Sequence, residues 1–160
     1  MPQSIANTFY EAFRNNDAAT MISLYHDDAT FKDPAFGTLN VAETRAMWQM
    51  LLERSKGELK ITYQVIEESA TEATCLWEAN YKFGPKKRPI HNKITAQLKF
   101  KDGKIIHHID EFNFWKWAGM ALGTSGWLLG FTPIVKNKVR QTVKKLLKNY
   151  MEGLKVRSSN

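Results

Sequence analysis

The chain has 160 residues, a length typical of one domain, and 43% of them are hydrophobic, which is enough to form a core. Aromatic residues make up 12% and exclude a disordered chain, while a single cysteine, Cys75, excludes an internal disulfide and a multi-cysteine metal cluster. The formal charge of +7 is unevenly distributed: residues 1–115 carry 14 basic and 15 acidic side chains, whereas residues 116–160 carry 9 basic side chains and 1 acid. Nucleic-acid binding is therefore not expected, because the net positive charge is confined to the C-terminal segment.

The first third of the sequence has helical spacing. Apolar residues recur every three or four positions from Ile5 to Phe13, which predicts one buried helix face. Asp17 is suited to cap a second short helix, and Pro34 favours an extended conformation for the preceding Asp33. We therefore predict helices at residues 5–13, 18–25 and 41–54, an extended piece at 30–34 and a loop at 36–39.

From residue 59 onward the hydrophobic period changes to two, which is typical of strands with one buried face. Four strands are predicted, at residues 59–65, 74–83, 90–100 and 105–114, with turns at 84–87 and 101–104. Helices followed by an antiparallel meander predict an α+β fold, in which the helices pack on one face of a curved sheet.

The C-terminal part has a different composition. Residues 117–135 carry no charge, but their glycines, Pro133 and polar residues argue against a membrane span. Residues 134–154 are predicted to form an amphipathic helix with an apolar stripe and a lysine-rich face. We divide the chain into a domain at 1–115 and a helical extension at 116–160. We expect the extension to pack on its own domain or on a dimer mate; contact of its basic face with a membrane surface is the less favoured alternative.

The segment Leu24-Tyr25-His26-Asp27-Asp28-Ala29-Thr30-Phe31-Lys32-Asp33-Pro34 is the strongest local motif. It resembles the nuclear transport factor 2-like superfamily, in the branch that contains ketosteroid isomerases and SnoaL-like polyketide cyclases, and within it a bacterial subgroup. Residues 3–114 follow the plan of that branch in order and spacing. The resemblance implies a cone-shaped sheet around a cavity, N-terminal helices packed on that sheet, and a homodimer.

The resemblance also implies site residues. Asp33 occupies the place of the isomerases' general base, and Asp110, with His108 on the same strand face, is in the neighbourhood of the cyclases' acid–base aspartate. The isomerases' oxyanion donors are missing, since their tyrosine position falls on Phe9, one residue before Tyr10, and their acidic position falls on Ala96. The substrate-binding candidates are Asn92, Trp77, Tyr81, Trp48, Phe112 and Tyr10.

Each assignment has a structural alternative. Asp33 is also suited to cap backbone amides in a turn, and His108 and Asp110 are also suited to form a hydrogen-bonded pair within the sheet. Asn92 would supply a neutral donor to a developing oxyanion, or fill a polar position in the sheet. No metal site is expected, because one cysteine and scattered histidines do not provide zinc-ligand spacing.

These observations favour a cofactor-free enzyme that uses carboxylate acid–base chemistry on a small, largely apolar carbonyl compound. Isomerisation, dehydration and cyclisation are the reactions considered. The alternatives are a binding module for a lipid-like ligand and a protein-interaction domain. The N-terminus lacks the basic stretch and apolar segment of a secretory signal, so we expect a cytoplasmic protein.

Overall fold

The computed structural model describes residues 3–160 and confirms the predicted α+β class, with helices packed on a curved, unclosed sheet. One antiparallel-rich sheet of six strands has the order β2-β1-β6-β5-β4-β3. The elements in chain order are α1 (Ile5–Arg14), α2 (Ala18–Ser23), β1 (Tyr25–Asp33), β2 (Gly37–Leu39), α3 (Val41–Ser55), β3 (Lys60–Glu68), β4 (Glu72–Phe83), β5 (Arg88–Lys101), β6 (Lys104–Glu111), α4 (Phe114–Leu122), α5 (Thr124–Leu129) and α6 (Pro133–Ser158).

The first three helices begin where side chains satisfy free backbone amides. Asp17 accepts from the amide of Thr20 at 3.0 Å and caps α2, as the sequence predicts. At α3, Asn40 and Glu43 exchange side-chain and backbone hydrogen bonds in a capping box. These caps fix where the helices start above the sheet.

The prediction for residues 25–39 was wrong in part, although the extended piece predicted at residues 30–34 is confirmed as the end of β1. Tyr25 begins strand β1 rather than ending a helix, and the predicted loop at 36–39 contains strand β2. The cause is long-range pairing, because β1 runs parallel to β6, a strand more than seventy residues later in the chain. Local periodicity cannot report such a partner, and pairing overrides the weak helical preference of this segment.

The core lies between the concave face of the sheet and α1 to α3. Inward positions alternate along β4, β5 and β6 as predicted, and burial follows that alternation. The last strand ends at Glu111, earlier than predicted, so Phe112 lies beyond the strand and Phe114 starts α4. Aromatic rings from the helices and the sheet meet edge to face, including Phe9, Phe13 and Trp48.

The C-terminal helices cover one side of this core. Helices α4 and α5 form a tight hairpin, since Gly126 lies so close to the carbonyl of Ala118 that no side chain fits there. Helix α6 crosses α3 and inserts the fully buried Leu147 into the core, with Val143 beside it. None of the helices within residues 3–160 combines the length and apolar character that crossing a membrane requires.

Candidate active site

A cavity of about 660 Å³ lies between the concave face of the sheet, α3 and α6. Aromatic and aliphatic side chains form most of its wall, and polar groups are few. The wall includes Phe13, Phe31, Asp33, Met47, Trp48, Trp77, Tyr81, Phe83, Asn92, Ile94, Asp110, Phe112, Trp117, Val143 and Leu146. Such a space accepts a small, mainly apolar molecule with a few fixed polar contacts.

Two carboxylates, Asp33 and Asp110, lie side by side on this wall. Strands β1 and β6 pair in parallel with Lys32 opposite Ile109, and one step further along both strands come the two aspartates. Adjacent strands are about 4.8 Å apart, and residues in register point to the same face. The fold therefore builds a carboxylate pair at the end of β1, and both members face the cavity.

The environment of Asp33 makes its ionised form costly. Burial raises the pKa of Asp33 to about 7; the backbone amide of Phe36 acts in the opposite direction, and the neighbouring Asp110 adds to the rise. The amide of Phe36 donates to Oδ1 of Asp33 at 2.5 Å. Asp33 therefore closes the turn before β2 and also faces the cavity.

Asp110 is held by donors from two sides. His108 Nε2 is 3.0 Å from Oδ1 of Asp110, and Trp77 Nε1 donates to the same oxygen at 3.4 Å. The carboxylate is 3% exposed, and Oδ2 receives no hydrogen bond from the described residues. One oxygen is thus anchored, and the other is left for a molecule in the cavity.

The hydrogen bonds behind Asp110 define the tautomer of His108. Trp48 Nε1 donates to the hydroxyl oxygen of Tyr25 at 2.8 Å, so the Tyr25 proton is directed at Nδ1 of His108, 2.7 Å away. Nδ1 is then the acceptor, and Nε2 carries the proton that is donated to Asp110. His108 is fully buried and lies behind Asp110 rather than on the cavity wall, so it acts as a positioning residue.

Five of the six residues that the sequence predicts to bind substrate lie on the cavity wall, and Tyr10 does not. Trp48, Trp77, Tyr81, Phe112 and Asn92 line the cavity.

Tyr10 does not line the cavity: it is completely buried and stacked on Tyr63, with no hydrogen-bond partner for its hydroxyl among the described residues. Burial raises the pKa of Tyr10 well above its usual value. Tyr10 is therefore a core residue in this structure, placed behind the cavity wall.

Asn92 is far from the carboxylate pair. Asp110 is paired with Ala96 on β5, and Asn92 lies four residues before Ala96 on the same face. Four residues of a strand span about 13 Å. An amide at that distance does not reach an oxyanion formed beside Asp110, and it is better placed to contact the opposite end of a bound molecule.

Two residues of the site were missed from the sequence. Tyr25 belongs to the motif segment, but only the pairing of β1 with β6 shows that it bonds to His108.

Arg140 comes from α6 and donates to the carbonyl of Pro34 at 3.4 Å, and its positive charge lowers the pKa of Asp33 against the effect of burial. Its guanidinium lies against Gly37, whose φ of +72° and lack of a side chain make room for it. No local sequence signal marks Arg140, because its position depends on the packing of the C-terminal helix.

Within residues 3–160, no three His, Cys, Asp or Glu side chains are arranged to hold a metal ion. The cavity wall also carries the ionisable side chains of Arg54, Glu58 and Lys82, so the carboxylate pair is distinguished by its burial rather than by being the only charge there.

The sequence profile of the SnoaL-like domain matches residues 6–108, and the chain belongs to this family. A comparison with curated proteins finds no match. Asp33 and most of the cavity wall lie in the matched segment and Asp110 lies two residues beyond it, whereas α4 and α6, which complete the wall, lie outside it.

Solved structures share the fold. A protein from Xanthomonas campestris pv. campestris described as a candidate polyketide cyclase superposes with a TM-score of 0.58 at 14% identity, covering 72% of this chain and 93% of its own. A protein of ketosteroid isomerase-like fold from Catenulispora acidiphila, in complex with trimethylamine, superposes with a TM-score of 0.59 at 13% sequence identity. The match covers 79% of this chain and 98% of that protein. TerC, co-crystallised with polyporic acid, superposes with a TM-score of 0.56 at 16% sequence identity; the match covers 68% of this chain and 88% of TerC. At these identities the similarity shows the fold alone.

Proposed function

We propose that this protein is a cofactor-independent enzyme that moves a proton on a small, largely apolar carbonyl compound, in the class of isomerases, cyclases and dehydratases. The observation that carries the proposal is the carboxylate pair: Asp33 and Asp110 come one residue after the last paired positions of β1 and β6, on one wall of an apolar cavity. Two adjacent carboxylates in an apolar site do not readily ionise together, so the pair tends to retain one proton near neutral pH.

The hydrogen bonds favour distinct roles for the two members. The two N–H groups that reach Asp110 suit an ionised carboxylate, whereas Asp33, with its pKa raised to about 7, retains a proton up to neutral pH. We assign Asp110 as the base and protonated Asp33 as the acid. The resemblance to isomerases implied the opposite role for Asp33.

The proposed step is an enolisation. Oδ2 of Asp110 takes a proton from the carbon beside the carbonyl, while Asp33 gives its proton to the carbonyl oxygen, and a neutral enol forms. Return of a proton from Asp110 to carbon, with Asp33 recovering the enol proton, completes an isomerisation or exchange. The net charge of the pair does not change during the step, which suits a cavity with few polar groups.

Asn92 would orient the far end of the substrate. Its separation from Asp110 along the sheet corresponds to the length of a bicyclic molecule with a second polar group. We therefore expect a substrate with a carbonyl at one end and a hydroxyl or second carbonyl at the other. Trp77 and Tyr81 lie on the strand beside Asn92 and would contact the apolar body between those ends.

The test uses 2-tetralone, a bicyclic ketone, and its 6-hydroxy derivative in D₂O, with exchange of the protons next to the carbonyl followed by NMR. Wild-type protein is expected to accelerate the exchange above the buffer rate. Asp33→Asn and Asp110→Asn should each remove most of the acceleration, by a factor of about 100 or more. Asp28→Asn, which changes an exposed aspartate on the same strand, is the matched control and should exchange at the wild-type rate.

Asn92→Ala separates orientation from chemistry. It should weaken binding of the 6-hydroxy compound and leave binding of 2-tetralone nearly unchanged, because only the former has a group for the amide to contact. If both ketones bind, as seen from shifted ligand resonances, and neither exchanges faster than in buffer, the cavity is a binding site without turnover. The enzymatic proposal would then be rejected.

A further inference from the structure

The α4–α5 hairpin and the start of α6 expose a set of large apolar side chains, which we call the apolar tip. Leu128, Phe131 and Ile134 are 65%, 70% and 79% exposed, and they follow one another around the turn into α6. The apolar tip consists of Leu122, Trp127, Leu128, Leu129, Phe131 and Ile134. Single exposed apolar residues are common on soluble proteins, but a continuous group of this kind marks an interaction surface.

The tip is distinct from the apolar stripe of α6. Most of the stripe faces inward, where Val143 and Leu147 pack on the domain core, while Leu146 is 37% exposed beside the cavity. The tip lies at the other end of the segment and faces solvent.

The tip is also held rigidly. The Trp115 indole donates to the carbonyl of Trp127 at 2.8 Å, and the close approach of Gly126 to Ala118 locks α5 on α4. A rigid protrusion presents its apolar side chains without an ordering cost on binding.

Along the sequence, the charged residues on either side of the tip are basic. Between Glu111 and Glu152 the chain contains no acidic residue. Lys116 lies in the first turn of α4, and Lys136 and Lys138 lie in the first turns of α6, directly after Ile134. Lys136 is half-buried, with its Nζ 5.9 Å from the centre of the Phe114 ring. The β4–β5 turn adds two exposed lysines, because Arg88 bonds to the carbonyl of Met120 at 2.9 Å and holds that turn against α4. We call Lys86, Lys87, Lys116, Lys136 and Lys138 the basic collar.

We propose that the apolar tip and the basic collar together bind the surface of an anionic lipid bilayer. Apolar side chains inserted at the headgroup level, with lysines among anionic headgroups, are the two components of interfacial binding. The turn that carries Lys86 and Lys87 also supplies Gly84 and Pro85 to the cavity wall. Membrane binding would therefore bring one end of the cavity beside the bilayer, a source of apolar compounds. The proposal does not depend on the proposed enzymatic activity.

Co-sedimentation with lipid vesicles tests the proposal on the full chain. Wild-type protein should bind vesicles of phosphatidylcholine with phosphatidylserine, bind phosphatidylcholine alone at least tenfold more weakly, and be released by high salt. The variant Leu128→Gln with Phe131→Gln should lower partition to anionic vesicles by a factor of ten or more. Lys136→Gln with Lys138→Gln should lower it about fivefold for each charge removed.

The chain provides a matched control on the opposite side. Ile66 and Leu76 are 49% and 44% exposed on the outer face of the sheet, where the neighbouring Lys93 is paired with Glu78. Replacing both with Gln removes two exposed apolar side chains outside the tip and should leave vesicle binding unchanged. Circular dichroism of all variants checks that each remains folded.

Three results would overturn the proposal. The first is equal binding of the tip variant and the wild type to anionic vesicles, and the second is equal binding of the wild type to both lipid compositions. The third is absence of vesicle binding by a wild-type dimer that becomes monomeric in the tip variant, as measured by light scattering. That third result would identify the tip as a contact between copies of the chain.

Discussion

Replacing Asp33 with Asn should change how the stability of the protein depends on pH. Burial raises the pKa of Asp33 from 3.8 to about 7 in the folded chain, while the unfolded chain retains the ordinary value. A pKa difference of this size corresponds to about 4 kcal/mol in the free energy of unfolding. We treat that figure as an upper limit, because the side chain still partly faces the cavity. The Asn variant retains an acceptor oxygen for the amide of Phe36, so the turn itself should survive.

The direction of this pH dependence follows from how many protons the folded and unfolded states bind. Below pH 3.8 both states hold the proton, and Asp33 contributes no pH dependence. Between pH 3.8 and about 7 the folded state holds a proton that the unfolded state has lost, so rising pH favours unfolding. Above this range both states are ionised, and the destabilisation is complete. Relative to wild type, Asp33→Asn should therefore gain roughly 2–4 kcal/mol in its free energy of unfolding between pH 4.5 and pH 8.

Urea unfolding followed by tryptophan fluorescence at several pH values measures this difference. The comparison is made as variant minus wild type, so that the titration of other carboxylates cancels. Asp28→Asn, at an exposed carboxylate, should show no such gain. Parallel stability profiles for Asp33→Asn and wild type from pH 4.5 to pH 8 would refute the reasoning, since Asp33 would then have an ordinary pKa.

Three further predictions concern packing and charge. His108→Leu should lower the free energy of unfolding by about 2–4 kcal/mol in urea titrations, because the buried Tyr25 hydroxyl loses its acceptor and Asp110 loses its closer donor; an unchanged value would contradict these two hydrogen bonds. Arg140→Met should raise the pKa of Asp33 further, as seen by carbon NMR of the carboxyl, and a lower pKa would show that the arginine does not act on it. Gly126→Ala should destabilise the protein by more than about 1 kcal/mol, whereas Gly153→Ala, with open space around it, should stabilise it by about 0.5–1 kcal/mol; equal effects would argue against the tight α4–α5 contact.

Most of the fold could be predicted from hydrophobic periodicity. The clean alternation along β4, β5 and β6 identified the inward faces, and with them Asn92 and Asp110. Strand β1 was missed in part because its neighbours in the sheet are β6 and β2, and the parallel pairing with β6 is not encoded in the local pattern. The capping residue Asp17 was predictable, since its hydrogen bond is made within three residues.

The candidate site was predictable in its residue types more than in its geometry. Asp33 and Asp110 could be named, but their position side by side depends on the register of two strands distant in sequence. The same register separates Asn92 from them, which the sequence could not show. Arg140 was not predictable, because a residue on the last helix reaches Pro34 only through the docking of α6 on α3.

The pH dependence of 2-tetralone exchange tests the central claim most directly. If Asp110 is the base and protonated Asp33 the acid, the wild-type rate above buffer should fall as the pH passes above about 7, the pKa of Asp33. Asp33→Asn should show a low rate without that inflection. A wild-type rate that instead rises through pH 7 would contradict the assigned roles, and a rate equal to that of buffer at every pH would contradict the proposed enzyme.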